Sequence, residues 1–236
     1  MTPPVITIDG PAGSGKTTLG RRLATTLGLP LVDTGLFYRG VMVAAARAGI
    51  DPDDRQALID CARRTTVIID TDPDHDDADS AASVDGVDAG PALRDPANAP
   101  LLTSISSIPE VRAALLDAQR SLANGGAVAV GRDCGTVVFP AAQLKLYLDA
   151  SEPVRAQRRA SQLRGSGASA DTALMRGEVG ARDRIDASRS AAPMRAADDA
   201  HVVDTGALGI EEVAQTALEL WAAVATRSPA EKPPRS

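Results

Sequence analysis

The sequence contains few aromatic residues: two Phe, two Tyr and one Trp among 236 residues. Proteins that bind single-stranded nucleic acid stack bases on aromatic side chains, and this composition offers few of them. The chain also lacks an excess of positive charge, because 25 Lys and Arg oppose 31 Asp and Glu for a net charge of −6. Neutralising a nucleic-acid backbone requires clustered cations. We therefore expect no nucleic-acid partner and a small substrate.

Cysteine and long apolar runs are scarce as well. Cys61 and Cys134 lie far apart in the sequence, which argues against both a disulfide framework and the paired spacing of a zinc site. No apolar run is long enough to cross a bilayer, and no signal-type leader precedes the first apolar segment. No apolar heptad run demands a partner helix. We therefore expect a cytoplasmic monomer that does not bind a membrane.

A glycine-rich phosphate loop lies near the N-terminus. Residues 10–17 fit the pattern GxxxxGK[ST] and follow the apolar run Val5 to Ile8. In such a loop, backbone N–H groups converge on phosphate oxygens at the positive end of the next helix. Lys16 would neutralise phosphate charge and Thr17 would offer its hydroxyl to Mg²⁺, so the pattern predicts a bound nucleoside triphosphate. The residues expected at this nucleotide are Gly10, Pro11, Ala12, Gly13, Ser14, Gly15, Lys16, Thr17 and Thr18.

Hydrophobic periodicity predicts alternating strands and helices in the first 50 residues. Val5 to Asp9 reads as a strand, Lys16 to Leu27 as a helix that Gly28 ends, and Leu31 to Val32 as a second strand. A second helix follows from Leu36 to Ala48. This alternation predicts an α/β fold with a parallel sheet.

The rest of the chain divides into an inserted segment and a continuation of the α/β pattern. Asp51 to Pro100 reads as a subdomain of small strands with a helix at Arg55 to Arg64 and a β-branched run at Thr65 to Ile69. Helix resumes at Pro109. The later predictions are strands at Ala127 to Val130, Leu144 to Leu148 and His201 to Val203, helices at Glu152 to Leu163, Asp171 to Asp186 and Ile210 to Thr226, and a disordered tail at 227–236.

Several arginines fall where predicted strands or helices end. Ligands of open α/β sheets bind at such ends, and a guanidinium holds a phosphate bidentately. For any single arginine, a solvated surface position is the alternative; the set is more persuasive. Its members are Arg39, Arg132, Arg182 and Arg189, with Arg112 one turn inside its helix.

Arg182, Asp186 and Arg189 are spaced i, i+4 and i+7, so they share one helix face. This face could carry two phosphate clamps and a carboxylate that accepts a hydrogen bond from a sugar or base. The alternative is an exposed helix with internal salt bridges.

A cationic lid is the interpretation of residues 155–170. Arg155, Arg158 and Arg159 precede a break of small residues at 165–169. Phosphoryl transfer needs water excluded, and a lid that closes over the triphosphate would exclude it. The alternative is an arginine-rich helix packed permanently on the domain.

Seven segments together carry a resemblance to one family. They are IDGPAGSGKTT (8–18), LVDTGLFYRG (31–40), SSIPEVRAALLDAQR (106–120), GRDCGTVVFP (131–140), KLYLDASEPVRAQRR (145–159), RDRIDASRSAAPM (182–194) and ADDAHVVDT (197–205). In this order they resemble the bacterial cytidylate kinases, which phosphorylate CMP and dCMP. The resemblance implies one P-loop kinase domain at 1–226, a three-layer α/β/α fold with a parallel central sheet. It also implies a core at 1–50 and 101–226, an NMP-binding insert near 51–100 and a lid near 155–170.

The resemblance also implies ATP as donor, CMP and dCMP as acceptors, and Mg²⁺. Lys16, Arg132, Arg158, Arg182 and Arg189 would act in phosphoryl transfer. The residues implied at the acceptor are Thr34, Tyr38 and Arg39 in the CMP site, Thr103 and Asp133 near the cytosine, Arg112 and Arg132 at the acceptor phosphate, Arg182 and Arg189 at phosphates, and Asp186 at the sugar.

Three positions depart from the family pattern. Val130 stands where the family usually has Asp or Glu, Cys134 replaces a larger apolar residue, and Thr17 stands where Gly or Ser is common. Asp9, at the end of the first predicted strand, is an alternative anchor for magnesium-bound water. The departures leave two other functions open: a paralogous kinase for a modified cytidylate or another small acceptor, and a nucleotide-binding regulatory module without turnover.

Overall fold

The computed structural model describes residues 3–74, 82–165, 176, 177, 180, 183–185, 187, 189 and 192–226. Its strands are β1 (Val5–Asp9), β2 (Leu31–Asp33), β3 (Val67–Ile69), β4 (Ala82–Val84), β5 (Val87–Asp88), β6 (Ala127–Val130), β7 (Leu144–Asp149) and β8 (His201–Asp204). Its α-helices are α1 (Lys16–Leu27), α2 (Gly35–Arg47), α3 (Arg55–Arg64), α4 (Ala99–Ser107), α5 (Pro109–Ser121), α6 (Glu152–Gly165) and α7 (Ile210–Ala225).

A five-stranded parallel sheet forms the centre of the molecule, in the order β2-β6-β1-β7-β8. Ile6 of β1 lies opposite Val128 of β6 and Leu144 of β7. One face of the sheet packs against α1 and α7 through Leu19 and Val213, and the other packs against α2 and α5. Strands covered on both faces read as continuous apolar runs, as these do. The predicted three-layer α/β/α fold is confirmed.

A second, antiparallel sheet of β3, β4 and β5 lies in the segment between α3 and α4. The β4–β5 turn contains Asp85 and Gly86, both at positive φ (52° and 78°), which matches the twist of a tight hairpin. Val84 and Leu93 are fully buried in the same apolar cluster as Val41 of α2. The small sheet therefore rests directly on α2 and shares its core.

Helix α4 was absent from the sequence-based prediction, which resumed helix only at Pro109. The structure forms α4 through Leu101 and Ile105, whose side chains are buried. Ile108 separates α4 from α5 in an extended conformation (φ −81°, ψ 116°), as expected for a residue before proline. After the small sheet, α-helix therefore resumes at Ala99, ten residues before the position that periodicity indicated.

Three predictions lie partly or wholly outside the described residues. They are the small-residue break at 165–169 beyond Gly165, most of the helix expected at 171–186, and the tail at 227–236. Within the described residues, no helix combines the length and the apolar character that a membrane span requires.

Candidate active site

The phosphate loop joins β1 to α1 and is shaped by three glycines at positive φ: Gly10 (142°), Gly13 (77°) and Gly15 (94°). A Cβ on Gly10 would lie 2.1 Å from the carbonyl oxygen of Leu148, so the loop can approach β7 only without a side chain. Helix α1 starts directly after Gly15, and its first turn holds no acidic residue. The first N–H groups of a helix have no partner within the helix, so this end of α1 is suited to binding an anion.

Buried hydrogen bonds fix the back of this loop. The Arg155 guanidinium donates to the carbonyl oxygens of Ala150 (2.9 Å) and Ala12 (3.2 Å), and its side chain is buried. It also forms an ion pair with Asp183. Arg155 therefore holds the phosphate loop in place. For this residue the structure favours a helix packed permanently on the domain and not a cationic lid.

Arg158 lies on the same turn of α6 and donates to both oxygens of Thr205, at 3.0 and 2.6 Å. The Thr205 hydroxyl is in turn within 3.1 Å of the carbonyl oxygen of Ser14. Arg158 and Thr205 line a second cavity, of about 550 Å³, that Lys16 also lines. Sequence reasoning missed Thr205, although it ends one of the seven family-like segments.

Lys16 and Thr17 open into a cleft of about 500 Å³. The Lys16 ammonium donates to the carbonyl oxygen of Pro11 (2.7 Å) across the loop. Four of the predicted phosphate-binding arginines line this same cleft: Arg39, Arg112, Arg132 and Arg189. The phosphate loop and the acceptor arginines therefore share one cavity.

Arg112 and Asp133 form a buried ion pair in the wall of this cleft. Arg112 also donates to the carbonyl oxygen of Ser106 (3.1 Å), and its guanidinium carbon lies 5.1 Å from the centre of the Tyr38 ring. Burial raises the pKa of Tyr38 to about 12, so its hydroxyl stays protonated. Arg112, Asp133 and Tyr38 therefore place a cation, an anion and a hydroxyl group close together in the wall of the cleft, where each could contact a ligand.

Arg39 and Thr34 belong to the turn and helix that follow β2. The Arg39 guanidinium donates to the carbonyl oxygen of Leu93 (2.7 Å), and burial lowers its pKa, with the nearby Asp33 opposing that shift. The buried Thr34 hydroxyl donates to the carbonyl oxygen of Val130 (3.0 Å). These bonds attach the start of α2 to the short 3-10 helix Gly90–Arg94 and to β6.

Arg132 and Arg189 both line the cleft but have different partners. Arg132 lies 3.8 Å from the Asp183 carboxylate and 3.2 Å from the Met194 sulfur. Arg189 donates to the Ser106 hydroxyl at 2.9 Å. Asp183, which sequence reasoning did not select, thus lies between Arg132 and Arg155. Asp183 directly follows Arg182, a predicted site residue, and this position could have identified it from the sequence.

One predicted acceptor residue, Thr103, does not line the cleft, and two others are not described. Thr103 is exposed and donates to the carbonyl oxygen of Ala99 (3.0 Å), while Leu102 and Ser106 of the same helix line the cavity. A helix turns 100° per residue, so Thr103 faces away where its neighbours face in. Arg182 and Asp186 lie outside the described residues.

Asp9 does not lie free at the end of β1, contrary to its suggested use as a water anchor. Its two oxygens accept the backbone N–H groups of Cys134 (2.8 Å) and Gly135 (2.7 Å). Burial raises the pKa of Asp9 to about 6. Asp9 therefore holds the π-helical turn Cys134–Val138 against β1.

The Cys134 thiol is fully buried, 3.5 Å from the Thr34 hydroxyl. Burial raises its pKa well above the usual range, which suits a small apolar filler and not a nucleophile.

Comparison with known proteins gives a consistent result over almost the whole chain. The family model for cytidylate kinase matches residues 6–223. A cytidylate kinase from Methylocella silvestris is 45% identical over 216 residues, which cover 91% of this chain and 92% of that protein. Cytidylate kinases from Corynebacterium efficiens and Pelotomaculum thermopropionicum are each 40% identical, over 95% and 89% of this chain and 96% and 92% of their own lengths.

A crystal structure of an uncharacterized protein from Eubacterium ventriosum superimposes with a TM-score of 0.51 at 12% identity, over 95% of this chain and 99% of that one. This likeness concerns the fold alone. The identities of 40–45% reach further and confirm the resemblance seen in the motifs. Together with the family match, they show that this chain belongs to the cytidylate kinase family of nucleoside monophosphate kinases.

Proposed function

We propose that this chain transfers the γ-phosphoryl group of ATP to CMP, and also to dCMP, yielding ADP and CDP or dCDP. The observation that carries the proposal is one cleft that is lined both by Lys16 and Thr17 of the phosphate loop and by the arginines Arg39, Arg112 and Arg132. A phosphate loop alone binds a triphosphate. A second cationic group in the same cavity provides a place for a second phosphate-bearing molecule.

The reaction needs positioning and charge neutralisation more than it needs a base. An acceptor phosphate oxygen is already a nucleophile, so catalysis rests on bringing two anions into line. Lys16 would neutralise the donor phosphates, and Arg132 and Arg189 would hold the acceptor phosphate against their repulsion. We assign Arg158 to the donor side, because it supports the loop through Thr205.

Specificity for cytosine would rest on the buried pair Arg112 and Asp133; this pairing moves Arg112 from the acceptor phosphate, where the motifs place it, to the base. A cytosine edge presents both an amino donor and carbonyl and ring-nitrogen acceptors, and a fixed guanidinium–carboxylate pair supplies complementary partners. The names of the 40–45% identical relatives support the same acceptor. We assign Arg182 and Asp186 to the phosphate and the sugar by motif, as before.

Mg²⁺ is the cation we propose for the donor. It prefers oxygen ligands and keeps several waters, and the exposed Thr17 hydroxyl in the cleft fits that preference. When bound, the ion neutralises phosphate charge during transfer. We further propose a cytoplasmic monomer, because no apolar heptad run in the sequence demands a partner helix and the two free, buried thiols suit a reducing compartment.

The test is ADP formation from ATP with Mg²⁺ and each of CMP, dCMP, UMP, AMP and GMP. We expect turnover with CMP and dCMP to exceed that with the other three by at least about 100-fold, as expected for a site that hydrogen-bonds its substrate. Weak turnover with all five would point to a modified cytidylate or another acceptor, the alternative that Val130 and Cys134 suggest. Tight ATP binding without turnover would favour a regulatory module.

A further inference from the structure

Four of the five strands in the parallel sheet end in aspartate. The C-terminal residues of β1, β2, β7 and β8 are Asp9, Asp33, Asp149 and Asp204. Strand β6, which ends in Val130, is the exception. The carboxyl ends of parallel strands border the ligand site in open α/β sheets. Each of these carboxylates is therefore a candidate to face the nucleotide.

Three of the four have other roles or positions. Asp9 is buried, and both its oxygens accept backbone N–H groups. Asp149 and Asp204 are exposed, and each caps a local turn by accepting the N–H of Ala150 or Gly206. Neither lines the cleft described above. Asp33 lines that cleft, together with Lys16 and Thr17.

The position of Asp33 is fixed by the register of the sheet. Asp33 lies directly opposite Val130 in the parallel pair of β2 and β6. One oxygen, Oδ1, accepts the N–H of Gly35 at 2.9 Å, and among the described residues Oδ2 accepts no hydrogen bond. Burial raises the pKa of this carboxylate, and the nearby charges of Arg39, Lys16 and Arg94 oppose that shift. The Gly35 N–H thus fixes the orientation of the Asp33 carboxylate, which lies near the cations of the cleft.

We propose that Asp33 is a positioning residue for the divalent cation of the bound nucleotide, accepting hydrogen bonds from the water molecules that the cation retains. The proposal rests on the donor site of the proposed function. Val130 leaves the end of β6 apolar, so the neighbouring strand supplies the carboxylate. Thr17 and Asp33 together provide the oxygen groups that a hard, hydrated cation requires. Carboxylates of this outer kind orient the inner ligands without touching the ion.

The test compares Asp33→Asn with Asp149→Asn in the absence of CMP. Asn keeps an oxygen for the Gly35 N–H and nearly the same volume, so the fold should persist. Asp149→Asn makes the same chemical change at another strand end, outside the cleft. Binding of ADP without metal, and of Mn²⁺ to the enzyme–ADP complex, would be measured by calorimetry and by the electron paramagnetic resonance signal of free Mn²⁺.

We expect Asp33→Asn to weaken Mn²⁺ binding to the ADP complex by about 10- to 100-fold, the usual effect of removing an outer-shell partner. Metal-free ADP should bind at least as well as in the wild type, because a negative charge near the phosphates is removed. Asp149→Asn should match the wild type in both measurements. Unchanged Mn²⁺ binding in Asp33→Asn would overturn the inference. A loss of metal-free ADP binding as large as the loss of Mn²⁺ binding would also overturn it, because it would mean that Asp33 only arranges Lys16 and Arg39. A wild-type enzyme that binds no ADP would instead overturn the donor site and the proposed function with it.

Discussion

Breaking the buried ion pair of Arg112 and Asp133 by replacing one partner should strongly destabilise the substrate-free enzyme. The two side chains are only 10% and 8% exposed. Replacing Arg112 by Met keeps much of the volume but leaves the Asp133 carboxylate buried without its cation. Removing one partner of a buried pair costs about 3–5 kcal/mol, because the remaining charge is no longer compensated. For a chain of this size that corresponds to a fall in Tm of about 6–20 °C.

The assay is urea and thermal unfolding of four proteins without nucleotide: wild type, Arg112→Met, Asp133→Asn and the double variant. The double variant should be less destabilised than Arg112→Met alone, because its buried charge is gone; the difference measures the coupling between the two side chains. Arg55→Met is the matched control. It breaks an ion pair with Glu110 at the start of the neighbouring helix, where both side chains are about half exposed.

Arg55→Met should leave the unfolding midpoint nearly unchanged, because solvent screens exposed ion pairs. An Arg112→Met variant that is no less stable than Arg55→Met would refute the reasoning, since it would mean that the pair is solvated. A double variant as unstable as the sum of the two single variants would likewise show that the side chains act independently.

Three further predictions concern other parts of the site. Burial raises the pKa of Asp9 in the folded chain to about 6, against an ordinary value of 3.8, so the folded chain binds this proton more tightly than the unfolded chain does. The contribution of Asp9 to the free energy of unfolding therefore falls as the pH rises between about 4 and 6. The stability of wild type relative to Asp9→Asn should drop by roughly 2 kcal/mol between pH 4.5 and 7 in urea titrations, and a rise would contradict the assignment. Gly10→Ala should lower Tm much more than Gly28→Ala, because its Cβ would meet Leu148 whereas Gly28 has open space around it; equal shifts would show that backbone strain alone matters. Arg39→Met should raise the KM for CMP by about 10- to 100-fold, as for the loss of a charged hydrogen bond, with the KM for ATP within about twofold; a change confined to ATP would place Arg39 on the donor side.

Local patterns in the sequence predict the regular elements well where propensity and burial agree. Helix α1 begins and ends where predicted, at Lys16 and Leu27, because Gly15 and Gly28 mark its two ends and a clear apolar face lies between them. Helix α4 was missed for the opposite reason. Its sequence, APLLTSISS, has a proline in the first turn and is rich in serine, so burial of Leu101 and Ile105 decides its conformation.

The site was predictable as a set of charged residues but not as a set of contacts. The arginines at or near the ends of predicted strands and helices were identifiable as a set, and four of them line one cleft. Their partners were not identifiable, because they come from distant parts of the chain. Asp9 is 125 residues from Cys134, whose N–H it accepts, and Ala12 is 143 residues from Arg155. Pairings between residues so far apart in the sequence depend on the order of the strands in the sheet, which local sequence patterns do not reveal.

The most direct test of the account is transfer of labelled phosphate from γ-labelled ATP to CMP, by wild type and Lys16→Met. The account predicts labelled CDP from the wild type at a rate that depends on both substrates, and a loss of at least about 100- to 1000-fold in the variant, because the charge on the transferring group is no longer neutralised. Label that appears only as inorganic phosphate, or equal rates for the two proteins, would contradict the claim that one cleft holds donor and acceptor together.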